Sequence, residues 1–221
     1  MDMDLASGPA SAQAAFRWRA HDPDWRGYAI GYRRAAEELT ERVTADGVHL
    51  DTLAFPIGGL FRHALELHLK WLAVVLREEL RESVRLIGTH DIERLWRHLE
   101  RPIRSLGLDG EGWKRIDNHV GLISRIDPRG LSFRYPVGID GTSLLAPDAL
   151  NLASLADAAH EVLDALEAMV ACAMHEGRLR AEEAMHEAAQ EWWHSLGDEE
   201  QARYEEEDLL LHEAYMAGHI P

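Results

Sequence analysis

The chemistry this sequence can offer starts on one arc of one helix. In the stretch Thr52 to Arg77, TLAFPIGGLFRHALELHLKWLAVVLR, the residues Arg62, Glu66 and Lys70 recur at i, i+4 and i+8, with His63 beside Lys70. At about 100° per residue they share a narrow face. The rest of the circumference is apolar: Leu60, Phe61, Ala64, Leu65, Leu67, Leu69, Trp71, Leu72, Val74, Val75 and Leu76. A helix that apolar must be surrounded by others. A carboxylate flanked by cations one turn to either side suits two arrangements. One is a ladder of i, i+4 ion pairs on a partly exposed strip. The other is the polar lining of a pocket, to which Arg134 from a later loop adds a further cation. An intermediate joins them, with Glu66 orienting Arg62 or His90 so that the cluster fastens three helices while lining a cleft.

Other metal and nucleotide motifs are missing or out of context. Glu183-Ala-Met-His186 and Glu191-Trp-Trp-His194 have E-x-x-H spacing, but both lie on one acidic segment, whereas a di-metal bundle draws such motifs from two facing helices. They read as a solvated acidic helix. No H-E-x-x-H, phosphate-binding glycine loop or G-x-S-x-G is found. No metal site and no cofactor is therefore expected.

The elements that must position the polar arc follow from hydrophobic spacing. A helix capped from Asp22 or Asp24 carries Trp25, Tyr28, Tyr32, Ala35, Leu39 and Val43 and closes at Gly47. Asp51 or Thr52 caps the central helix, whose first turns Pro56 and Gly58-Gly59 should make irregular before it continues towards Arg85. Gly88 breaks the run and Thr89 is a natural N-cap for a helix with Ile92, Leu95, Trp96, Leu99 and Ile103, which Pro102 bends or divides. After Gly107 to Gly112, Trp113, Ile116, Val120 and Ile123 form an amphipathic helix that stops before Asp127-Pro128. Phe133 to Val137 reads as extended between turns. Asp148 then caps a long helix with Leu152, Leu155, Ala159, Val162, Leu163, Leu166 and Met169, running to about Glu176, beyond which the apolar stripe thins.

These readings give an all-α antiparallel bundle of four or five helices over residues 21–176. A loose arm, 1–20, precedes it and an acidic helical extension, 177–221, follows. The chain carries a formal charge of −16, of which −11 falls in residues 181–221, where twelve acidic residues face one basic, leaving −5 for the body. An RNA-facing patch on that body is compatible with its charge. The tail suits either a solubilising extension docked through Trp192, Trp193 and Leu209 to Leu211, or a shield for a basic partner or for a nucleic-acid site on its own body. No apolar run approaches the roughly 18 residues of a membrane span. The acidic N-terminus does not read as a signal peptide, and the single cysteine, Cys172, fits a reducing cytoplasm.

The order of landmarks is itself informative: FRHALELHLKWL, then THDIERLW opening the next helix, an amphipathic helix, an FRYP loop and a closing long helix. Over roughly residues 22–172 this resembles the HEPN superfamily of helical bundles, in particular uncharacterised bacterial HEPN-like proteins. The resemblance is carried by Arg62, His63, Glu66, Lys70, the His90-Asp91 pair with Leu95 and Trp96, and Phe133 to Pro136. It implies a bundle that pairs into a homodimer, and an endoribonuclease or RNA-binding role, metal-independent, in defence or toxin–antitoxin systems. It also implies an arginine and a histidine spaced R-x4-6-H, a spacing met by Arg85-LIGT-His90 and by Arg180-AEEAM-His186. The alternative is a non-catalytic module of the same fold that binds a partner protein or nucleotide.

RNA cleavage without a metal needs a base for the 2′-hydroxyl, an acid for the leaving oxygen and a cation near the phosphate. His90 fits base or acid, and Arg85 or Arg62 the cation. In the bland reading, His90 decorates a helix N-terminus between cap Thr89 and the dipole-compatible Asp91.

Overall fold

The structure, a computed structural model, describes residues 24–80, 84, 87–138, 140–144 and 150–216. It is all-helical: α1 (Trp25–Asp46), α2 (Leu50–Leu80), α3 (Ile92–Ser105), α4 (Glu111–Ile126), α5 (Leu152–Ser195) and α6 (Asp198–Met216). Among the described residues the only β pairing is a single antiparallel bridge, Val137 to Ser143. None of the described helices is long and apolar enough to cross a membrane. The chain divides after Val170 into two compact units. The expected arm 1–20 and the expected cap Asp148 lie outside the described residues.

The first unit is built around α2. Ile57, Phe61, Leu65, Leu69, Leu72 and Leu76 are fully enclosed, and Trp96, Leu99 and Ile103 of α3, Ile116 and Ile123 of α4, and Leu163 and Leu166 of α5 complete the core. Burying so many large side chains, each contributing about 1.5–3 kcal/mol, is what stabilises a helix with one charged arc. Trp96 stacks on Trp113 at 4.1 Å and donates its indole N–H to Asp117 at 3.0 Å, so this large ring is both packed and satisfied. Arg33 ties α1 to α5 through Glu167 at 2.8 Å and Asp164 at 2.6 Å, while also bonding Glu37.

Several local expectations change. Asp24 does cap α1 and Gly47, at φ +63°, does end it. The buried face of α1, however, is Ala29, Ala36, Thr40 and Val43, and Tyr28 is exposed. Small residues let α1 lie close along α2, Tyr28 turns outward, and Trp25 and Tyr32 are half-buried. α2 is helical from Leu50 straight through Pro56 and Gly58-Gly59. Gly58 is required there, because a Cβ would stand 2.5 Å from the Phe133 ring. Asp91, not Thr89, caps α3, accepting from the Arg94 N–H at 2.9 Å. Thr89 instead accepts from the Asp91 N–H. Pro102 sits inside an undivided α3. Asn151 accepts from the Ser154 N–H at the start of α5, the role expected of Asp148. α5 continues past Gly177 without a break. Of the stretch Phe133 to Val137, expected to be extended, the first residues belong to a turn in which both Arg134 and Tyr135 donate to the Leu131 carbonyl, while Val137 pairs with Ser143 in the antiparallel bridge.

In the second unit, α5 beyond Val170 is followed by α6, with Trp192 edge-on to Tyr204 at 5.4 Å and Gln201 donating to the Trp193 carbonyl. None of the residues of α6 is buried, and Leu209, Leu210 and Leu211 are exposed.

Candidate functional site

The polar arc of α2 forms the expected i, i+4 ladder of ion pairs, but a largely buried one. Arg62 and Glu66 are buried, with 4% and 1% of their surface exposed. Their burial is sustained because every charge meets an opposite one or a backbone acceptor. Arg62 donates from Nη1 to Glu66 Oε2 at 2.6 Å and from Nη2 to the His90 carbonyl, and its Nε faces Asp127. Lys70 Nζ donates to Glu66 Oε1 at 2.6 Å. His90 Nδ1 lies 2.9 Å from the same Oε1.

Burial on its own would raise the Glu66 carboxyl. The hydrogen bonds from Lys70 and Arg62, with that from His90, outweigh it and hold the group at about 2. Glu66 is therefore an ionised acceptor at neutral pH. Because a carboxylate can only accept, Nδ1 of His90 must carry the proton, which leaves Nε2 to face outward. The His90 side chain is 71% exposed, and among the described residues its ring bonds Glu66 alone. Glu66 thus orients His90, as the intermediate reading requires.

The loop after α4 supplies the other wall. Asp127, at the C-cap of α4, accepts from the N–H groups of Leu131 and Ser132 at 2.7 and 2.9 Å and so folds the turn. Its second oxygen is buried 3.5 Å from Arg62 Nε. Gly130 has φ +71°, and a Cβ on it would stand 3.0 Å from Arg62 Cζ, so the backbone passes directly over the guanidinium. Arg134 donates its Nε–H to the Gly130 carbonyl and stands 6.0 Å from the Tyr135 ring. Its side chain reaches the pocket mouth with its terminal nitrogens unclaimed among the described residues.

Together these groups enclose a pocket of about 430 Å³. Arg62, Glu66, Asp127 and Phe133 form its buried floor, Tyr32, Phe55, Leu60 and His63 its walls, and His90 and Arg134 its rim. His63 packs edge-on against Tyr32, ring centres 4.4 Å apart. Burial pushes its imidazole below the ordinary value. Glu66 opposes this, and Arg62, Lys70 and Arg134 reinforce it.

Of the residues singled out from sequence, Arg62, His63, Glu66, Lys70, His90 and Arg134 meet at this one place. Asp91 is next to it in sequence but serves as the α3 cap. Arg85 lies outside the described residues. The other spaced pair, Arg180 and His186, stands on exposed α5, and six residues at 100° each put the two about 120° apart around the helix. Three contributors were not singled out as site residues. Asp127 reads as a helix stop before proline, Tyr32 as an apolar stripe residue, and Gly130 as a loop glycine. A glycine two residues beyond Asp-Pro was the available signal for a tight turn.

Compared with protein families, curated proteins and solved structures, the chain matches none.

Proposed function

We propose that this chain is a HEPN-like endoribonuclease that cleaves RNA without a metal, with the α2 pocket as its active site. The observation that carries the reading is the hydrogen bond of His90 Nδ1 to the buried, ionised Glu66. It fixes the tautomer of an exposed imidazole at the mouth of a pocket that also presents an arginine. A histidine oriented by a carboxylate is equipped to transfer a proton, and Arg134 is placed to meet a phosphate. Arg62 is the positioning residue, since all three of its nitrogens are engaged by Glu66, Asp127 and the His90 carbonyl. This moves the cationic role from Arg85 and Arg62 to Arg134.

The reading includes a four- or five-helix antiparallel bundle with an irregular FRYP insertion and action as a homodimer. It also includes a cytoplasmic setting in bacterial defence or toxin–antitoxin systems. One observation favours the second reading, a non-catalytic module that binds a partner protein or nucleotide. Arg62, Glu66 and Lys70 satisfy one another's charges, as a purely structural latch would.

Incubating total bacterial RNA with the protein in EDTA decides between them. Cleavage by the wild type and a loss of about 10²–10⁴-fold in His90→Ala, at matched folding, are expected. Undiminished cleavage by His90→Ala would remove His90 from the chemistry. A wild type that leaves all RNA intact would leave the binding module.

A further inference from the structure

Resting on the nuclease reading, we propose that His63 is the second proton-transfer group of the pocket: it takes the proton of the ribose 2′-hydroxyl while His90 protonates the departing 5′-oxygen. Transesterification of RNA needs both transfers, and one histidine cannot be base and acid in the same step. The sequence places His63 next to Arg62 on α2, and the fold turns it into the same cavity as His90.

Three features separate the two imidazoles. His63 hydrogen-bonds to no described residue, yet neither of its nitrogens is among the buried atoms left without a partner. Its nitrogens are therefore accessible, on a residue that lines the pocket. His63 is half-buried against Tyr32 of α1 and surrounded by more positive than negative charge. Arg62 and Lys70 of α2 and Arg134 of the loop outnumber Glu66. Such surroundings favour the neutral ring, which is the state a base starts from. His90 instead holds its Nδ1–H against an ionised carboxylate, which leaves its exposed Nε2 at the pocket mouth to meet the departing oxygen.

The step balances without a co-reactant. The 2′-oxygen bonds to phosphorus as its proton moves to His63, and the bond from phosphorus to the 5′-oxygen breaks as that oxygen takes a proton from His90. The products are a 2′,3′-cyclic phosphate and a 5′-hydroxyl, and exchange with water resets both rings. Arg134 meets the charge on the non-bridging oxygens. The substrate must carry a 2′-hydroxyl, so RNA is cut and DNA is not.

The test uses two oligoribonucleotides, one natural and one with a single 5′-bridging phosphorothiolate, whose sulfur leaves without being protonated. On the natural linkage both His63→Ala and His90→Ala should lose about 10²–10⁴-fold. On the phosphorothiolate, His90→Ala should recover to within a few-fold of wild type and His63→Ala should not. The wild type supplies a version that depends on no variant. Its kcat/KM should fall on the acid side below pH 6.5, the ordinary histidine value, since the His63 value lies lower. The alkaline limb should vanish with the phosphorothiolate while the acid limb stays. His63→Ala or His63→Gln with cleavage within threefold of wild type would overturn the assignment, as would rescue of His63→Ala instead of His90→Ala. A wild type that cuts neither substrate would overturn the nuclease reading itself. His90-dependent cutting that ignores His63 would overturn only this inference.

Discussion

Arg62 is the residue on which the pocket depends, and its neighbours define what can be changed. Gly130 crosses the guanidinium with a left-handed backbone, so Gly130→Ala meets two penalties at once. A Cβ at φ +71° costs about 1–2 kcal/mol, and that atom would stand 3.0 Å from Arg62 Cζ. A lower urea midpoint with an unchanged slope is the expected result, because the loss is in the native state. Glu66→Ala should be more severe. It leaves Arg62 and Lys70 without the carboxylate that both bond, and breaking a buried pair costs about 3–5 kcal/mol. Glu66→Gln keeps the shape but cannot accept equally from three donors. It should fold at reduced stability while His90 loses its fixed tautomer, which two-dimensional NMR of the imidazole nitrogens would report. A His90 ring whose nitrogens are unchanged in that variant would contradict the orienting role.

At the scale of elements, the helices are legible wherever the core is local and illegible wherever the reason for a residue lies far along the chain. The spacing of Leu95, Trp96, Leu99 and Ile103, and of Leu152 through Met169, marks α3 and α5 because each stripe needs only its own period. Pro56 and Gly58-Gly59 suggest an irregular start to α2 because local rules treat them as breakers. The role of the glycine pair is set by Phe133, seventy-five residues after Gly58, whose ring occupies the space a side chain at Gly58 would fill. The same separation hides the site: i, i+4 spacing reveals Arg62, Glu66 and Lys70, but nothing local says that His90 and Asp127 close over them. The stripe of α1 misleads in a different way, since Ala29 and Ala36 bury through smallness and not through hydrophobic mass. Two glycines make this testable by thermal melts. Gly58→Ala should destabilise by about 1–3 kcal/mol from overpacking against an aromatic ring, despite its better helix propensity. Gly31→Ala, on the exposed side of α1 with nothing within 4 Å, should stabilise by about 0.5–1 kcal/mol. Equal effects at the two positions would refute the close approach of Phe133.

For the molecule as a whole, the negative charge is divided unequally, and pH separates its two kinds of carboxylate. The residues from Ala181 onward hold −11 of the formal −16, and those among them that the structure describes lie on largely exposed helices. Protonating them relieves repulsion and removes no buried partner. Glu66 behaves oppositely. Its folded value of about 2 lies below the ordinary 4.5, so the folded state binds its proton less readily than the unfolded state does. Stability from this group is therefore complete above pH 4.5 and is lost as pH falls towards 2. The difference amounts to on the order of 3 kcal/mol for a side chain this enclosed. His63, also lowered on folding, adds a loss of the same sign that begins below its ordinary 6.5. Urea midpoints measured from pH 8 to pH 2.5 should thus decline in two stages. The upper stage should disappear in His63→Gln, and the lower should shrink in Lys70→Met, which removes one of the two 2.6 Å hydrogen bonds holding Glu66 ionised. A wild-type midpoint that rises on acidification through pH 4 would mean that relief of tail repulsion outweighs the buried node. It would also place the stability of the fold in its apolar core alone.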